Sequence, residues 1–587
     1  MKEKCYFHEN EVILNFTSGT LTSSAQLLDS PLFNIFLNQY LDYLENHRRD
    51  LREFLYQKDN DREQVLTKLK GTLRLLLLIH TETADIPYLE LPDIMEEVIS
   101  EGYRYWTSLD RYSILYLQNA DSYATNAFMN LDHEINELAR NFYRTVEAKI
   151  TGRRDNVYKQ LDAGTNASLL MQKYEWNCPS AYEKLKDIAF VHTIMVRTPL
   201  IIHTKSNKRS NVFKEHDHNP IEDFNGDSED WFCFPCLIGK LLVYAYFHKD
   251  YLSSCVGTTG LFQLARSEDC LGRKPDAILL FGNHDGTKDT VFYYDEENDI
   301  YIGKTSASEE IDYFGYTKKS LLTLHNLVAM KRGWLPIHGA MVNIYLKDGT
   351  KKGLMFMGDS GAGKSETLEA LSTLASDMID HQETVFDDMG TLHLDANGKI
   401  RGQGTEIGAF VRLDDLDKGT AYKDMDRSIF FNPEKSNARV VIPAAPHSVV
   451  TTEHPVDIFL YANNYTDKRG MHFFKTREEA EPVFVEGKSF DNVDDALTVF
   501  RAGNRMAKGT TTEYGLVGSY FANPFGPMQR QEECQVLIDK MFDALFDQDI
   551  PVGEVYTCLG LPNKGNHGID EGAAALLDFV KNGKKDI

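Results

Sequence analysis

The chain has 587 residues, which is more than one hydrophobic core can organise, because single cores stop growing at about 250 to 300 residues. Its 63 lysines and arginines stand against 88 aspartates and glutamates, and the formal net charge is −25. This balance argues against nucleic acid or an anionic membrane as a partner, because both recruit proteins through clustered cations. We expect a small-molecule ligand, and any anionic ligand needs cations concentrated at one site.

The first 150 residues contain only three glycines and three prolines, so few residues there break a helix. Apolar residues recur three and four positions apart in the stretches 32–55, 64–79 and 131–150. This spacing is typical of helices that pack on one face. We therefore predict a mostly helical domain over residues 1–185.

From residue 186 the sequence changes to short β-rich runs, separated by Gly, Asn and Asp at predicted turns. The runs lie at 194–204, 277–281, 291–294 and 300–303. They predict an α/β region over residues 186–310, and a third domain follows over residues 311–587. The predicted fold class is therefore α/β, with an extra helical domain at the N-terminus.

The eight cysteines are sparse for this length, which favours reduced thiols over a disulfide framework. The longest apolar run, 241–247, is far shorter than the roughly 20 residues that a membrane-spanning helix needs. The N-terminal residues include no apolar signal-peptide core. From these three observations we expect a cytoplasmic protein.

A complete phosphate-binding motif of the form GxxxxGKS begins at residue 358. It lies between an apolar strand at 354–357 and a helical run at 366–374, the context that a P-loop requires. Backbone N–H groups of such a loop surround phosphate oxygens at a helix N-terminus. We expect Lys364 to bridge the β- and γ-phosphates and Ser365 to ligate Mg²⁺. The predicted nucleotide-binding residues of the loop are Gly358, Asp359, Ser360, Gly361, Ala362, Gly363, Lys364 and Ser365.

Two carboxylates, Asp387 and Asp388, follow a predicted short apolar strand that begins at Thr384. Phosphoryl-transfer enzymes place a second metal-holding element after the P-loop. Two adjacent carboxylates beside a triphosphate repel each other and the ligand unless a divalent cation lies between them. We therefore expect both aspartates to bind metal.

The segments around the P-loop resemble motifs of the ATP-type phosphoenolpyruvate carboxykinases, in the same order along the chain. Segment 313–320, YFGYTKKS, is similar to the family's YGGEMKKG, and segment 336–341, PIHGAM, is similar to its MHCSAN. Further downstream, segment 406–412, EIGAFVR, is similar to EGGCYAK, and segment 437–443, NARVVIP, is similar to NTRVxYP. The resemblance covers about residues 300–570 and implies a carboxykinase-like P-loop domain.

In that family the second lysine of the KK pair, the histidine and the later aspartate ligate a catalytic Mn²⁺. The resemblance therefore implies Lys319, His338 and Asp388 as Mn²⁺ ligands, and Asp387 as the residue that acts on the nucleotide-bound Mg²⁺. An ammonium has no lone pair, so Lys319 must lose its proton to bind metal. The adjacent Lys318 and a bound dication both favour the neutral amine.

The resemblance also implies roles for residues that contact substrate and nucleotide. Tyr313 corresponds to the tyrosine that touches oxaloacetate or phosphoenolpyruvate, and Arg412 stands where the family has a phosphate-contacting lysine. Arg439 corresponds to the arginine that bridges the transferred phosphoryl group and the enolate. Segment 560–567, GLPNKGNH, stands where the family has the adenine-bordering GWNGTGKR, so His567 replaces an arginine there.

Two departures from the family pattern leave alternatives open. The P-loop reads GDSGAGKSE where the carboxykinases usually have GLSGTGKTT, and this variant also resembles HPr kinase/phosphorylase, a protein serine kinase. The family reads the substrate carboxylate with the arginine of a TGRSPKD element. Two arginines are candidates for that role here, Arg153 within TGRRD and Arg197 between two apolar runs.

The resemblance implies an enzyme that uses ATP, Mg²⁺ and Mn²⁺ to convert oxaloacetate to phosphoenolpyruvate, CO₂ and ADP. An alternative is an ATP-dependent kinase of a small-molecule or protein hydroxyl on the same scaffold, with Asp387 or Asp388 as the base. A third possibility is a nucleotide-binding regulatory protein whose working surface is the helical domain. The catalytic residues implied for the carboxykinase reaction are Tyr313, Lys319, His338, Lys364, Asp388, Arg412 and Arg439.

Overall fold

A computed structural model describes residues 3–57, 61–78, 86–118, 122–152, 162–206, 213–358, 362–413, 428–434, 438–464, 466–486, 530–559, 561 and 567–583. The chain is α/β and forms two compact units, each assembled from several segments. Unit 1 comprises Met1–Tyr174, Asp187–Ile201 and Asp227–Phe232. Unit 2 comprises Glu175–Lys186, Ile202–Gly226 and Cys233–Ile587. The division into domains at residues 185 and 310 stays a prediction.

Most of the described part of unit 1 is helical, and the three predicted amphipathic runs are confirmed. Helix α2 begins where the Oγ of Ser30 accepts a hydrogen bond from the Phe33 N–H at 3.1 Å, and Pro31 fills the first helical position. Apolar side chains from one face of each helix share a core. The helices are α1 Ser24–Asp29, α2 Pro31–His47, α3 Arg49–Tyr56, α4 Arg62–Leu78, α5 Pro92–Ser108 and α6 Ser122–Thr151.

A mixed sheet accompanies these helices in unit 1, in the strand order β1-β2-β3-β4-β5. Its strands are β1 Cys5–His8, β2 Glu11–Asn15, β3 Asp110–Tyr116, β4 Ala167–Gln172 and β5 Ala189–Val196. The first four of these strands lie within residues 1–185 and were missed by the prediction of a mostly helical region. The apolar residues of β2 are consecutive and buried, and a run this short fits a helix as well as a strand.

The first sheet of unit 2 places its strands in the order β8-β9-β11-β13-β12-β7, with β10 beside β8. Strands β9, β11 and β13 run parallel, so their carboxyl ends meet at one edge. The runs predicted at 277–281, 291–294 and 300–303 are confirmed as β11, β12 and β13. The bounds are β7 Lys214–Glu215, β8 Trp231–Ile238, β9 Leu241–His248, β10 Gln263–Leu264, β11 Ala277–Asn283, β12 Thr290–Asp295 and β13 Ile300–Ser306, with helices α7 Leu252–Thr258 and α8 Ser267–Cys270. Strand β6 Leu200–His203 belongs to a separate small sheet.

The P-loop follows a strand of the second sheet of unit 2, whose strand order is β21-β17-β16-β14-β15-β22-β24-β23. In a separate small antiparallel sheet, β20 lies between β18 and β19. The strands are β14 Leu335–Leu346, β15 Lys351–Met357, β16 Ile379–Leu394, β17 Ile400–Gly404, β18 Gly408–Arg412, β19 Ser428–Phe431, β20 Ala438–Pro443, β21 His454–Pro455, β22 Ile458–Asn463, β23 Met471–Phe473 and β24 Val552–Tyr556. The helices are α9 Phe314–Lys331, α10 Lys364–Leu374, α11 His447–Thr451, α12 Arg477–Glu486, α13 Gln531–Asp547 and α14 His567–Asn582.

Strand β15 is buried on both faces, which explains why the residues before the P-loop form a continuous apolar run. Successive side chains alternate between the faces. Leu354 and Phe356 belong to a core shared with α10 and α14, and Met355 and Met357 belong to a core shared with α12 and α13. Helices therefore cover both faces of this sheet, and the loop after β15 emerges at its edge.

None of the described helices combines the length and the apolar character that a membrane-spanning helix requires. All eight cysteines lie in the described part of the chain, none forms a disulfide, and seven are buried. Burial raises the pKa of the Cys270 thiol to about 11, so this side chain stays a neutral thiol at physiological pH. The prediction that the cysteines form no disulfide framework is confirmed.

Candidate active site

The P-loop connects β15 to α10 through two glycines that adopt unusual backbone conformations. Gly358 has a φ of 151° and Gly363 a φ of 91°, in a region that L side chains rarely adopt. A Cβ atom on Gly363 would also lie 2.8 Å from the side chain of Thr557. The loop therefore needs glycine at both ends. Four predicted groups lie outside the described part of the structure: Asp359, Ser360, Gly361 and the side chain of Ser365.

Thr557, directly after β24, holds the end of the P-loop in place. Its Oγ1 donates a hydrogen bond to the Ala362 carbonyl at 2.7 Å, and its N–H donates to the Asn463 carbonyl at 2.8 Å. Strands β15, β22 and β24 are parallel neighbours, so the loop lies where three carboxyl ends meet. This edge is the usual position of ligands in open α/β sheets.

Lys364 opens α10, and its ammonium turns back toward Gly358 at the end of β15. Its Nζ donates to the Gly358 carbonyl at 3.0 Å, and the side chain is buried. Asp387 lies close enough to interact with this charge. Burial raises the pKa of the Asp387 carboxyl, and the charge of Lys364 lowers it in part. A buried lysine beside the loop carbonyl is suited to exchange that carbonyl for phosphate oxygens.

Asp387 and Asp388 lie within a long strand, so the prediction of a short strand ending at these residues was wrong. Strand β16 continues to Leu394 because it pairs with β14 along its whole length, and Gly339 stands opposite Asp388. Asp388 has a φ of 154°, which L residues rarely adopt. Such strained positions concentrate at functional sites.

Lys318, the first lysine of the pair, is buried and contacts Asp388 directly. Its Nζ forms an ion pair with Oδ2 of Asp388 and a second one, at 3.1 Å, with Oε1 of Glu406. Burial opposes the charge of Lys318, but the two carboxylates outweigh burial and raise its pKa above the ordinary value. Lys318 is therefore an ammonium that is 3% exposed.

Lys319 is the one residue between Phe314 and Met330 of α9 that is not fully buried. Burial opposes the ionisation of Asp388, but the charges of Lys318 and Lys319 bring its pKa well below the ordinary value. Lys319 therefore lies close enough to act on Asp388 electrostatically. Its role as a metal ligand stays a prediction.

His338 on β14 converges on the same carboxylate, with its Nε2 3.0 Å from Oδ1 of Asp388. Two ligands in adjacent octahedral positions at about 2.1 Å from one ion are about 3 Å apart. Carboxylate oxygen suits Mn²⁺, and imidazole nitrogen binds the first-row divalent metals in general. The donor set of His338 and Asp388 therefore fits the implied Mn²⁺, and the neighbouring carboxylate of Asp387 fits Mg²⁺.

Glu406 is a site residue that was not predicted. It precedes β18, and its side chain is 4% exposed. Burial raises the pKa of Glu406 to about 7, although Lys318 lowers it. The site thus contains three neighbouring carboxylates, the buried Glu406 and the partly buried Asp387 and Asp388, and such a density of negative charge favours cations between them.

Three residues of the site, Lys318, Arg439 and Tyr313, lie around the aromatic ring of Phe410 on β18. The Nζ of Lys318 lies 5.9 Å from the ring centroid and the Cζ of Arg439 lies 5.5 Å from it, both within cation–π range. The ring centroid of Tyr313 is 6.4 Å away. Arg412 stands directly opposite Arg439 across the β18–β20 pair. Aromatic and cationic groups therefore lie together on this side of the site.

The described contacts do not connect three other predicted residues, His567, Arg197 and Arg153, to the groups around Asp388 and Phe410. His567 opens α14, is 64% exposed, and has its Nδ1 3.4 Å from Oε1 of Glu571. Its predicted contact with the nucleotide stays a prediction. Arg197, in unit 1, donates from Nε to the Thr165 carbonyl at 2.8 Å and forms an ion pair with Asp132. Its guanidinium is thus already engaged, which argues against it as the carboxylate reader, and Arg153 lies outside the described residues.

Two of the site residues that sequence reasoning missed had a signal in the sequence. Glu406 and Phe410 are the first and fifth residues of EIGAFVR, a segment from which only Arg412 was assigned a role. Thr557 had no such signal, because a threonine after a short strand belongs to no motif of the P-loop. Comparison with known proteins adds no relative, since the chain matches no protein-family model and no curated protein.

Proposed function

We propose that the chain is a cytoplasmic P-loop enzyme of the phosphoenolpyruvate carboxykinase type, which converts ATP and oxaloacetate to phosphoenolpyruvate, CO₂ and ADP. Unit 2 would supply the carboxykinase-like domain. The observation that carries the proposal is that Lys318 and His338 both contact Asp388. The adjacent residue, Asp387, interacts electrostatically with Lys364 of the P-loop. Phosphoryl transfer needs such an arrangement of fixed charges more than it needs covalent chemistry.

The contacts of Gly358, Lys364 and Ala362 support nucleotide binding at the P-loop. The ammonium of Lys364 would exchange the Gly358 carbonyl, now at 3.0 Å, for oxygens of the β- and γ-phosphates. The N-terminus of α10 adds a favourable partial positive charge at the same place. Thr557 holds the loop backbone through Ala362, so little of the binding free energy is spent on ordering that end of the loop.

The residues that would hold metal are Ser365 and Asp387 for Mg²⁺, and Lys319, His338 and Asp388 for Mn²⁺. When bound, these ions neutralise the negative charge that develops on the phosphates and on the enolate. Nε2 of His338 lies 3.0 Å from Oδ1 of Asp388, and a metal held by both atoms would replace that contact.

Loss of CO₂ from oxaloacetate produces an enolate, and the enolate oxygen then attacks the γ-phosphorus. The fixed positive charges of Lys318 and Arg439, both beside Phe410, would stabilise the enolate. Lys318 suits this role because its raised pKa keeps it charged throughout the neutral range. No general base is required, since cleavage of the C–C bond creates the nucleophile. Lys364, Arg412 and Arg439 would share the charge on the transferred phosphoryl group.

A second candidate function is an ATP-dependent kinase of a hydroxyl group, and two observations favour it. Arg197 is engaged by Asp132, which removes one of the two arginines considered for the substrate carboxylate. Glu406 is a buried carboxylate whose pKa of about 7 suits a base that accepts a hydroxyl proton. Asp388 is a poor base by comparison, because its pKa lies well below the ordinary value.

One assay separates these functions. Purified full-length protein is incubated with ATP, Mg²⁺, Mn²⁺ and oxaloacetate, and the formation of phosphoenolpyruvate and ADP is followed. The carboxykinase proposal expects both products in equal amounts. ADP without phosphoenolpyruvate would refute it and support the kinase. Nucleotide binding without any turnover would support the regulatory alternative.

A pair of variants on α9 tests the metal assignment. Lys319→Ala should reduce Mn²⁺-dependent turnover by at least about 100-fold, because it removes an implied ligand, while nucleotide binding stays within about two-fold. Lys331→Ala is the matched control: Lys331 lies at the other end of the helix, where it forms a 2.7 Å ion pair with Asp299. Full activity of the Lys319 variant would refute the assignment of the metal ligands.

A further inference from the structure

Three side chains with no part in the proposed reaction converge at an edge of the first sheet of unit 2. His248 is the last residue of β9, Asp250 follows two positions later, and His284 comes directly after β11. Strands β9 and β11 are parallel neighbours, so their carboxyl ends meet at the same edge. The sheet topology therefore brings together residues that are far apart in the sequence.

The three donor atoms form a nearly equilateral triangle. Nε2 of His284 lies 3.0 Å from Oδ2 of Asp250 and 3.2 Å from Nδ1 of His248. Nδ1 of His248 lies 3.2 Å from the same carboxylate oxygen. Ligands at about 2.0 to 2.2 Å from one Zn²⁺ ion are roughly 2.9 to 3.5 Å apart at octahedral to tetrahedral angles. The spacing of the triangle therefore already suits three ligands on one ion.

Short contacts hold the three donors in this arrangement. The Asp250 N–H donates a long hydrogen bond, 3.3 Å, to Nδ1 of His248. Nε2 of His284 faces Oδ2 of Asp250 at 3.0 Å. A metal that binds here would replace these contacts, and metal binding at an imidazole releases any proton that the ligating nitrogen holds.

We propose that His248, Asp250 and His284 form a binding site for Zn²⁺ or a cation of similar chemistry. Two imidazole nitrogens and one carboxylate oxygen suit this class of ion, whereas Mg²⁺ takes oxygen ligands. The side chains of His248 and Asp250 are 12% and 11% exposed, but that of His284 is 53% exposed. The site is therefore enclosed on one side and leaves room for water as a fourth ligand. The ion would tie together the segments that follow β9 and β11.

A second group of described residues has the same composition but different contacts, and it provides the control. His216, Asp217 and His218 lie next to one another in the chain. Nδ1 of His218 is 2.8 Å from Asp217 and its Nε2 is 2.8 Å from Asp223, so both ring nitrogens donate to carboxylates. A ring protonated at both nitrogens has no lone pair for a metal.

The test is a Zn²⁺ titration of the purified full chain by isothermal titration calorimetry, with Mg²⁺ in excess to occupy oxygen-rich sites. Co²⁺ serves as a probe, because its visible absorption bands report nitrogen and oxygen ligands. His284→Ala and Asp250→Asn should each weaken Zn²⁺ binding at this site by at least about ten-fold and remove one site's share of the Co²⁺ bands, because His338 and Asp388 can also bind these ions. His218→Ala should leave both readouts unchanged.

Circular dichroism checks that each variant folds, and the exposure of His284 makes its replacement a mild change. Should His284→Ala nevertheless unfold, the nearly isosteric Asp250→Asn decides the question. Zn²⁺ affinity that is unchanged in the folded variants would overturn the proposal. An equal loss in His218→Ala would also overturn it, because the ion would then bind at the other group.

Discussion

Glu406→Gln is the most direct test of the electrostatics at the candidate active site. Burial raises the pKa of Glu406 from 4.5 to about 7, although Lys318 lowers it. The native protein therefore keeps a proton that the unfolded chain loses, and its stability falls as the pH rises from 4.5 to about 7. One pKa unit is worth about 1.4 kcal/mol, so ionised Glu406 costs unit 2 about 3 kcal/mol above this range.

Glutamine keeps the shape of the side chain and stays neutral at every pH. We expect Glu406→Gln to stabilise unit 2 by about 3 kcal/mol at about pH 8, and to have almost no effect at about pH 4.5. Urea unfolding of the full chain in metal-free buffer at both pH values measures the difference.

The matched control for this test is Glu453→Gln. Glu453 forms a 2.9 Å surface ion pair with Lys240 and is 40% exposed, so its replacement should cost at most about 1 kcal/mol. A Glu406 variant that loses stability at about pH 8 would refute the reasoning. An effect of equal size at both pH values would refute it too, because packing rather than charge would then be responsible.

Two further substitutions test the packing of charges and the support of the P-loop. Lys318→Met removes the buried ammonium that pairs with Asp388 and with the buried carboxylate of Glu406, and it should cost about 3 to 5 kcal/mol in urea unfolding at neutral pH, with partial recovery when Glu406→Gln is added. A loss below about 1 kcal/mol would contradict the ion pairs. Thr557→Val removes the 2.7 Å hydrogen bond to the loop carbonyl and should cost about 1 kcal/mol and weaken ATP binding several-fold in calorimetry. Thr373→Val, on the exposed side of α10, is its control, and equal ATP affinity in both variants would speak against a role for Thr557 in holding the loop.

The parts of the fold that could be predicted are those with a long or specific sequence signal. Strand β15 and helix α10 flank a motif that requires them, and the amphipathic spacing of 131–150 is long enough to exclude a strand. Strands β1, β2 and β3 could not be predicted in the same way. Their apolar runs are short, and the pairing that makes them strands depends on residues elsewhere in the chain, such as 167–171 for β3.

Residues of the candidate site could be predicted where the order of the motifs along the chain identified them. They could not be predicted where the outcome depends on which side chains of one helix are buried. Lys318 and Lys319 point about 100° apart around α9, and they differ in burial, since Lys318 is fully buried and Lys319 is not. Apolar periodicity cannot select between them, because α9 is buried on nearly all sides. The protonation of Glu406 depends likewise on Lys318, which is 88 positions earlier in the chain and reaches it only through the fold.

The assembly of unit 1 from separated segments has a consequence for the timing of its folding during synthesis. Strand β5 pairs with β4, and the last segment of the unit ends at Phe232. About 60 residues must therefore be made after Tyr174 before the unit has all its parts, which takes roughly 3 to 12 seconds at ribosomal rates. Through this interval the emerging chain holds an incomplete sheet edge, the state in which nascent proteins rely most on chaperones.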